Sequence, residues 1–393
     1  MVFDNVSEEV KKLSASFSIS YLGRNMMWLF LPVFFKRHIA SLFLIGILTS
    51  IPAFTNLLLD IPVGNLIQRA SSRLVMIIGF LMFSLPGIMY FTTVPVLIVF
   101  GKVLEGISKT LRWDSGWYMA MKNSDKSAES ESLSVFVIGK NISDIVGPVI
   151  GGFVAFYLGL RYNLAFWTIF GIFAAVYFYL TLGVDFDNFV SSLRSLFRSK
   201  TYQDDWNHLM ADWSRMKWSV SLILVQSLIY SFFWVAVPLL LDELGANFLV
   251  MGTLFGIVAV PKAFQVYFGK ISDFYGELRT VSWVSVFLIP VLFMMGIFES
   301  LWMIGLLVLV AMMFATALSP ALHSYFDETT SDEFEGEMVG FLEFFKHAGQ
   351  AIGPTMAGYV ASVWSISASF YAAGIVGAVF LGLVTFVRYF VES

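Results

Sequence analysis

Twelve charged residues stand inside long apolar stretches of this 393-residue sequence. Seven are basic (Arg24, Lys102, Lys109, Arg112, Lys140, Lys262 and Lys346) and five are acidic (Asp60, Glu105, Asp114, Asp144 and Glu343). At the centre of a membrane-spanning helix a charge costs on the order of 2.5–3.5 kcal/mol even on the mildest scale, so such residues face a wet cavity or a partner. The excess, 7 − 5 = 2 positive charges, points to an anionic or zwitterionic small molecule. A hydrophobic cation would prefer an acidic, aromatic cavity.

Four of these residues form a stripe. Lys102, Glu105, Lys109 and Arg112 are spaced 3, 4 and 3. At about 100° per residue they share an arc of roughly 80° on one helix, close to Trp113 and Trp117. Glu105 can pair with Lys102 or Lys109. Arg24, Glu105 and Lys109 are expected to line a cavity. Asp114 is expected to pair with Arg69 or Arg73, and Asp144 with Lys140 four residues earlier. Further cavity candidates are Lys102 and Arg112 of the stripe, Asn25 beside Arg24, Asn141, Asp144, Gln226, Tyr230, Lys262, Gln265, His323, His347 and Gln350. Lys140 and Lys346 stand equally for a cavity or for structural ion pairs. Glu105 and Asp60 are the candidate proton carriers, since desolvation can raise a carboxyl pKa. For Asp60 a structural salt bridge competes with that role.

These residues need a membrane-spanning scaffold. The sequence is 58% hydrophobic and 13% charged, against roughly a quarter charged in a soluble domain, which makes it a polytopic membrane protein. Segments of about 20 apolar residues span a bilayer. They fall near 15–35, 41–66, 74–92, 96–120, 134–158 and 163–184, then near 219–241, 247–269, 280–298, 301–324, 338–362 and 367–389. The expected organisation is a six-helix bundle over 1–184, an amphipathic cytoplasmic linker over 185–218, and a second six-helix bundle over 219–393. In that linker Phe189, Val190, Leu193, Leu196 and Phe197 share one face, and Trp206, Leu209 and Trp213 another. With the N-terminus inside, the inner segments hold fourteen Lys and Arg against three outside (Lys36, Arg37 and Arg161). That asymmetry places both termini in the cytoplasm of a plasma-membrane protein.

The two halves repeat one another. The stretch from Gly64 through Gln68, Arg69 and Arg73 has a second copy at Gly269, Asp273, Gly276 and Arg279, offset by 269 − 64 = 205. Gly147-Pro148-Val149-Ile150-Gly151-Gly152 returns as Gly353-Pro354-Thr355-Met356-Ala357-Gly358, offset by 353 − 147 = 206. A parallel duplication implies a pseudo-twofold axis along the membrane normal. It maps Lys140 onto Lys346, Asn141 onto His347 and Asp144 onto Gln350.

Over essentially the whole chain this pattern resembles the major facilitator superfamily of secondary transporters. That family's loop between the second and third helices reads Gly-x-x-x-Asp-Arg-x-Gly-Arg-Arg/Lys. Gly64, Arg69 and Arg73 match it; Gln68 replaces the acid, and Ser71 and Ser72 replace Gly and Arg. The second copy keeps Gly269, Asp273 and Gly276, with Phe274 where Arg is usual. The Gly147–Gly152 motif is similar to one in the family's drug and metabolite exporters, with Ser143 where a further glycine is usual. The resemblance implies an all-α fold of twelve transmembrane helices, alternating access, a monomer, and a small-molecule substrate moved with protons. Gly64 and Gly269 would let helices approach closely at a cytoplasmic gate, and Pro148 and Pro354 would serve as hinges or as static packing points. A multidrug or metabolite exporter is the nearest alternative. A lipid-modifying membrane enzyme and a non-transporting receptor are the rivals from other classes.

No phosphate-binding loop, metal-ligand spacing or nucleic-acid signature is present, so no cofactor is expected. The absence of Cys excludes disulfides. A carboxylate placed after each gate glycine can meet the positive end of a helix. Asp273→Ala is therefore expected to reduce transport more than Gln68→Ala does; equal losses in a vesicle transport assay would contradict the asymmetry.

Overall fold

A computed structural model describes residues 6–69, 71–123, 129–184, 201–329 and 335–390; for positions 61, 65, 68, 69, 129–131, 201–212, 266, 335–340, 388 and 390 it describes the backbone alone. The described residues are almost entirely helical. The first half comprises α1 (Glu8–Asn25), a 3-10 turn (Trp28–Phe30), α2 (Leu31–Lys36), α3 (Leu42–Arg69), α4 (Ser72–Phe91), α5 (Pro95–Lys122), α6 (Glu129–Tyr157) and α7 (Leu160–Leu182). The second comprises α8 (Thr201–Glu243), α9 (Phe248–Ala259), a 3-10 stretch (Val260–Phe264), α10 (Gln265–Tyr275), α11 (Glu277–Ile297), α12 (Leu301–Thr329), α13 (Glu335–Val363) and α14 (Ile366–Phe390). Each of the twelve expected segments coincides with one helix or one broken helix. Eight described helices are long and apolar enough to cross a membrane, and the bent pair over Phe248–Tyr275 would make nine. α5 falls outside that set because its charged stripe lowers its hydropathy.

The duplication is visible in the helix boundaries. Leu42, Pro95, Glu129 and Leu160 begin α3, α5, α6 and α7; Phe248, Leu301, Glu335 and Ile366 begin α9, α12, α13 and α14. Every pair differs by 206. The glycine motif at 64 and 269 is one residue out of that register: Gly64 stands 22 residues after Leu42 and Gly269 stands 21 after Phe248, across the 3-10 stretch that interrupts the second copy. Its Gly276 adopts φ +87°, left-handed backbone that disfavours a side chain, and separates α10 from α11 by one residue.

The described residues form two compact units. The first contains residues up to Leu31, Leu58–Lys200 and Phe248–Gly256; the second contains Pro32–Leu57, Thr201–Asn247 and the chain from Ile257 onward. These differ from 1–184 and 219–393 in two short segments, which exchange places between the halves. Within the first unit α1 packs on α6 and α7, and α4 on α5 and α7. Within the second α8 packs on α13 and α14, and α11 on α12 and α14. A shift of 206 converts one pattern into the other. The first unit's core joins Phe17, Tyr21, Phe80, Phe136 and Phe178, with Trp113 and Trp117 packed against it.

Two expectations differ from the described residues, and a third falls outside them. The helix carrying Gln226 starts at Thr201 rather than near 219, so the second part of the expected linker continues into a spanning helix. Phe189, Val190, Leu193, Leu196 and Phe197 lie outside the described residues, as do the side chains of Trp206, Leu209, Gln68 and Arg69. Among the described residues, close helix approach does not occur at the gate glycines. A Cβ on Gly64 would meet nothing within 4 Å, and one on Gly269 nothing nearer than Pro320 at 3.9 Å. Close approach falls instead where Gly46 faces Gly358 and where Gly152 faces Gly252; a Cβ on Gly358 would lie 2.9 Å from Gly46 Cα, and one on Gly152 2.9 Å from Gly252 Cα. The repeat maps Gly46 onto Gly252 and Gly152 onto Gly358.

The two proline motifs lie beside these seams. α6 and α13 run on through Pro148 and Pro354. Gly147 packs on Asn25 and Gly151 on the Met26 backbone, while Gly353 packs on Leu228 and Ser231. The Thr355 N–H donates to Ser50 Oγ at 3.2 Å, replacing support that a proline-bearing helix loses. In this structure the motif glycines act as packing faces. Gly358→Leu is expected to lower the apparent Tm by the equivalent of ~1–3 kcal/mol of overpacking, whereas Gly64→Ala leaves it unchanged or higher. Thermal unfolding of both purified variants checks this contrast.

Candidate functional site

The site begins where α1 stops. The Met26 N–H still reaches Leu22 O and the Met27 N–H reaches Arg24 O, after which the chain tightens into the 3-10 turn. The break leaves a backbone carbonyl that must be satisfied inside the bundle. Asn163 of α7 does so, donating from Nδ2 to Met26 O at 2.8 Å and to Gly151 O at 2.9 Å. Arg24 and Asn25, the last two residues of α1, are thereby held at a fixed interruption of the helix.

Glu105 is the centre of the charge network. It is 3% exposed and accepts from Lys102 Nζ at 2.9 Å, Arg24 Nη2 at 3.3 Å and the Tyr90 hydroxyl at 3.1 Å. Arg24 also donates to Asn25 Oδ1 at 3.4 Å, and Asn25 Nδ2 donates to Asp144 Oδ1 at 2.8 Å. Lys140 Nζ closes the chain on Asp144 Oδ2 at 2.9 Å. One connected network thus crosses α4, α5, α1 and α6. Lys102 and Glu105 are sealed in the unit, whereas the side chains of Arg24 and Lys140 are 17% and 25% exposed. The Arg24 guanidinium lies 4.5 Å from the Trp28 ring centroid and Lys140 5.7 Å from that of Tyr21, so aromatic faces flank both accessible cations.

The charged stripe on α5 therefore divides. Arg112 is 1% exposed and stands apart from the network, donating to Ser20 Oγ at 2.9 Å and to Ser108 O at 3.2 Å. Its guanidinium lies 3.5 Å from the Phe83 ring centroid and 5.2 Å from that of Tyr21. Lys109 and Asp114 are half-buried. Asp60 accepts from Thr110 at 3.4 Å, which ties α3 to α5. Arg73 meets Glu9 at 3.0 Å and Leu182 O at 2.9 Å, so its carboxylate comes from the start of α1.

The second unit carries a different set. Lys346 pairs with Glu343 at 2.7 Å along α13, and buried His347 lies 3.9 Å from the same carboxylate. Lys140 and Lys346, related by the repeat, are each satisfied within their own helix. Lys262 sits in the 3-10 stretch, 5.9 Å from the Trp234 ring centroid. Gln265 and Asp273 are exposed; Asn141, His323 and Gln350 are half-buried. Gln226 and Tyr230 line a small cavity of about 30 Å³, walled mainly by apolar side chains of α8, α11, α12 and α14.

Tyr90, Trp28, Ser20 and Asn163 contact the candidate residues or their backbone, and sequence reasoning missed them. Only Asn163, an amide entering an apolar segment, carried a readable signal. Removing the carboxylate of a buried ion pair leaves uncompensated charge and costs about 3–5 kcal/mol. Glu105→Gln is expected to destabilise the protein by that order. Lys102→Met combined with Glu105→Gln should cost less than the sum of the two single changes. A double-mutant cycle on unfolding measures the coupling.

Comparison with known proteins agrees with this architecture. The chain matches the Major Facilitator Superfamily profile over residues 13–260 and 219–393. It is 23% identical over 382 residues to the quinolone resistance protein NorA of Staphylococcus aureus (strain MSSA476), covering 94% of this chain and 93% of that protein. Among solved structures it resembles the nucleoside transporter NupG, with a TM-score of 0.78 at 11% identity over 96% of this chain and 99% of that one. It also resembles the human organic anion transporter MFSD10, with a TM-score of 0.66 at 15% identity over 96% of this chain and 100% of that one. The matched profile spans both halves and nearly the whole sequence: the chain belongs to the Major Facilitator Superfamily, as a multi-pass membrane transporter and not an enzyme.

Proposed function

We propose that this transporter moves a small organic anion or zwitterion together with a proton, by alternating access between the halves 1–184 and 219–393 joined through 185–218. The reading places it in the plasma membrane as a monomer with both termini cytoplasmic.

The observation that carries it is Arg24, shared between buried Glu105 and the accessible edge of the network. A substrate carboxylate can take the place of Glu105 as partner of the guanidinium. Protonating Glu105 makes the network one unit more positive and strengthens its attraction for an anion. By linkage the bound anion strengthens proton binding equally. Proton and anion therefore load together, which is the logic of cotransport. Trp28 beside Arg24 suits a substrate with an aromatic or apolar body. The fold similarity to an organic anion transporter is compatible with this substrate class.

A second reading, export of hydrophobic drugs, is favoured by the similarity to NorA along 94% of the chain. A thermal-shift screen with benzoate, glycine and tetraphenylphosphonium separates the two, because a ligand of the folded state raises apparent stability. The cotransport reading expects benzoate or glycine to raise the Tm more at acidic than at neutral pH. Arg24→Gln should abolish the shift, and Glu105→Gln should remove its pH dependence. Stabilisation by tetraphenylphosphonium alone would replace this reading with the drug-export one.

A further inference from the structure

In the first unit two ion pairs close the end of the bundle where α1 begins. Lys11 Nζ meets Glu8 at 2.8 Å, and both Glu9 oxygens accept from Arg73 Nη2 at 3.0 Å. Asn123 Nδ2 donates to the same Glu9 carboxylate at 2.9 Å, and Arg73 Nη1 reaches Leu182 O at 2.9 Å, so this clamp ties the ends of α1, α4, α5 and α7. The members of the two ion pairs carry no net charge. Adding 206 to Glu8, Glu9, Lys11 and Arg73 gives Ser214, Arg215, Lys217 and Arg279. The second unit thus keeps both bases, loses both acids and gains a third base where Glu9 stands, which makes the same four positions +3. Leu182 maps onto Arg388, a further base in the last turn of α14.

The frame around these bases is retained. α14 packs on α8 and α11 as α7 packs on α1 and α4. The Trp218 and Phe386 rings, 5.5 Å apart, join α8 to α14 beside Arg215. Ser219 Oγ lies 2.7 Å from the hydroxyl of Thr329, the residue equivalent to Asn123. Arg215 and Arg279 are exposed, and among the described residues no carboxylate pairs with either. Glu277, two residues before Arg279, accepts from Ser324 Oγ at 3.4 Å. Like charges gathered at the place of an ion pair repel one another, and an anion between them turns that repulsion into attraction.

We infer that Arg215, Lys217 and Arg279 form a binding site for the headgroup of an anionic phospholipid carrying two phosphates, as cardiolipin does. The spans Trp213–Glu243, Glu277–Ile297 and Ile366–Val387 begin or end within two residues of Arg215, Arg279 and Arg388, which is the depth of lipid headgroups. Guanidinium forks take phosphate oxygens through paired N–H bonds. A charge of +3 exceeds what one phosphodiester neutralises, so two phosphates match the site better than one. Exposed Trp283, one turn along α11 from Arg279, and exposed Phe386 offer apolar faces to acyl chains. A free phosphate ion presents the same oxygens and has no chain for these rings to hold. The orientation proposed above puts the site in the inner leaflet.

The test uses the full chain in nanodiscs of phosphatidylcholine, alone or doped to equal charge with cardiolipin or phosphatidylglycerol, and reads the apparent Tm. Cardiolipin is expected to raise the Tm above that in phosphatidylcholine and above that in phosphatidylglycerol. Arg215→Glu restores the residue type that the first unit has, so its Tm in phosphatidylcholine should stay level or rise while the cardiolipin gain is lost. Arg279→Gln should lose most of the gain too, a readout that survives if the reversed charge impairs folding. Inorganic phosphate added to phosphatidylcholine discs should shift nothing. The inference is overturned if cardiolipin gives no gain over phosphatidylcholine, if phosphatidylglycerol gives the same gain, or if both variants retain the gain in full. It is equally overturned if inorganic phosphate stabilises as cardiolipin does, which would assign the site to a soluble anion.

Discussion

A buried carboxylate flanked by two cations is the constraint around which the first half is built. Glu105 lies in the interior of a helix bundle where water cannot solvate it, so its charge persists only because Lys102, Arg24 and Tyr90 surround it. Coulomb attraction and hydrogen bonds there offset a desolvation cost of several kcal/mol per ion. That balance requires good geometry. It is supplied by one helix that carries Lys102 and Glu105 one turn apart, and by another that ends at Arg24. The break in α1 is part of the same arrangement, because the Asn163 amide satisfies the opened backbone and fixes the position of Arg24.

The network's second consequence is to place charge at the boundary between buried and accessible space. Lys102 and Glu105 are sealed, while Arg24 and Lys140 remain partly open. A proton on the inner carboxylate and an anion at the outer guanidinium then act on one electrostatic sum. Arg112 serves otherwise: aromatic rings and Ser20 enclose it, so it braces α5 against α1 and α4.

Duplication fixed the backbone frame and left the interiors free to diverge. Helix starts separated by 206 residues and corresponding helix pairs show that the two halves retain one packing plan. Glycines at 46, 152, 252 and 358 keep it, since any Cβ there would strike a neighbouring backbone. Side chains that only fill the bundle are under weaker constraint. The interior around Glu105 is ionic in the first unit, whereas that around Gln226 and Tyr230 in the second is mainly apolar.

The sequence by itself determined the class, the twelve segments, the duplication and the identity of the charged positions. Hydropathy over some 20 residues is a local property, and a repeat is read by subtraction. The pairing of Lys140 with Asp144 was equally local, four residues along one helix. What only the tertiary structure decided was the set of contacts between residues far apart in the chain. Arg24 meets a carboxylate 81 residues away, and Arg73 meets Glu9 rather than Asp114. The α5 stripe looked like one wet face because angular position on a helix says which residues share a side. Neighbouring helices decide whether that side meets water, another charge or a ring, and here they gave Glu105 two cations and Arg112 an aromatic box.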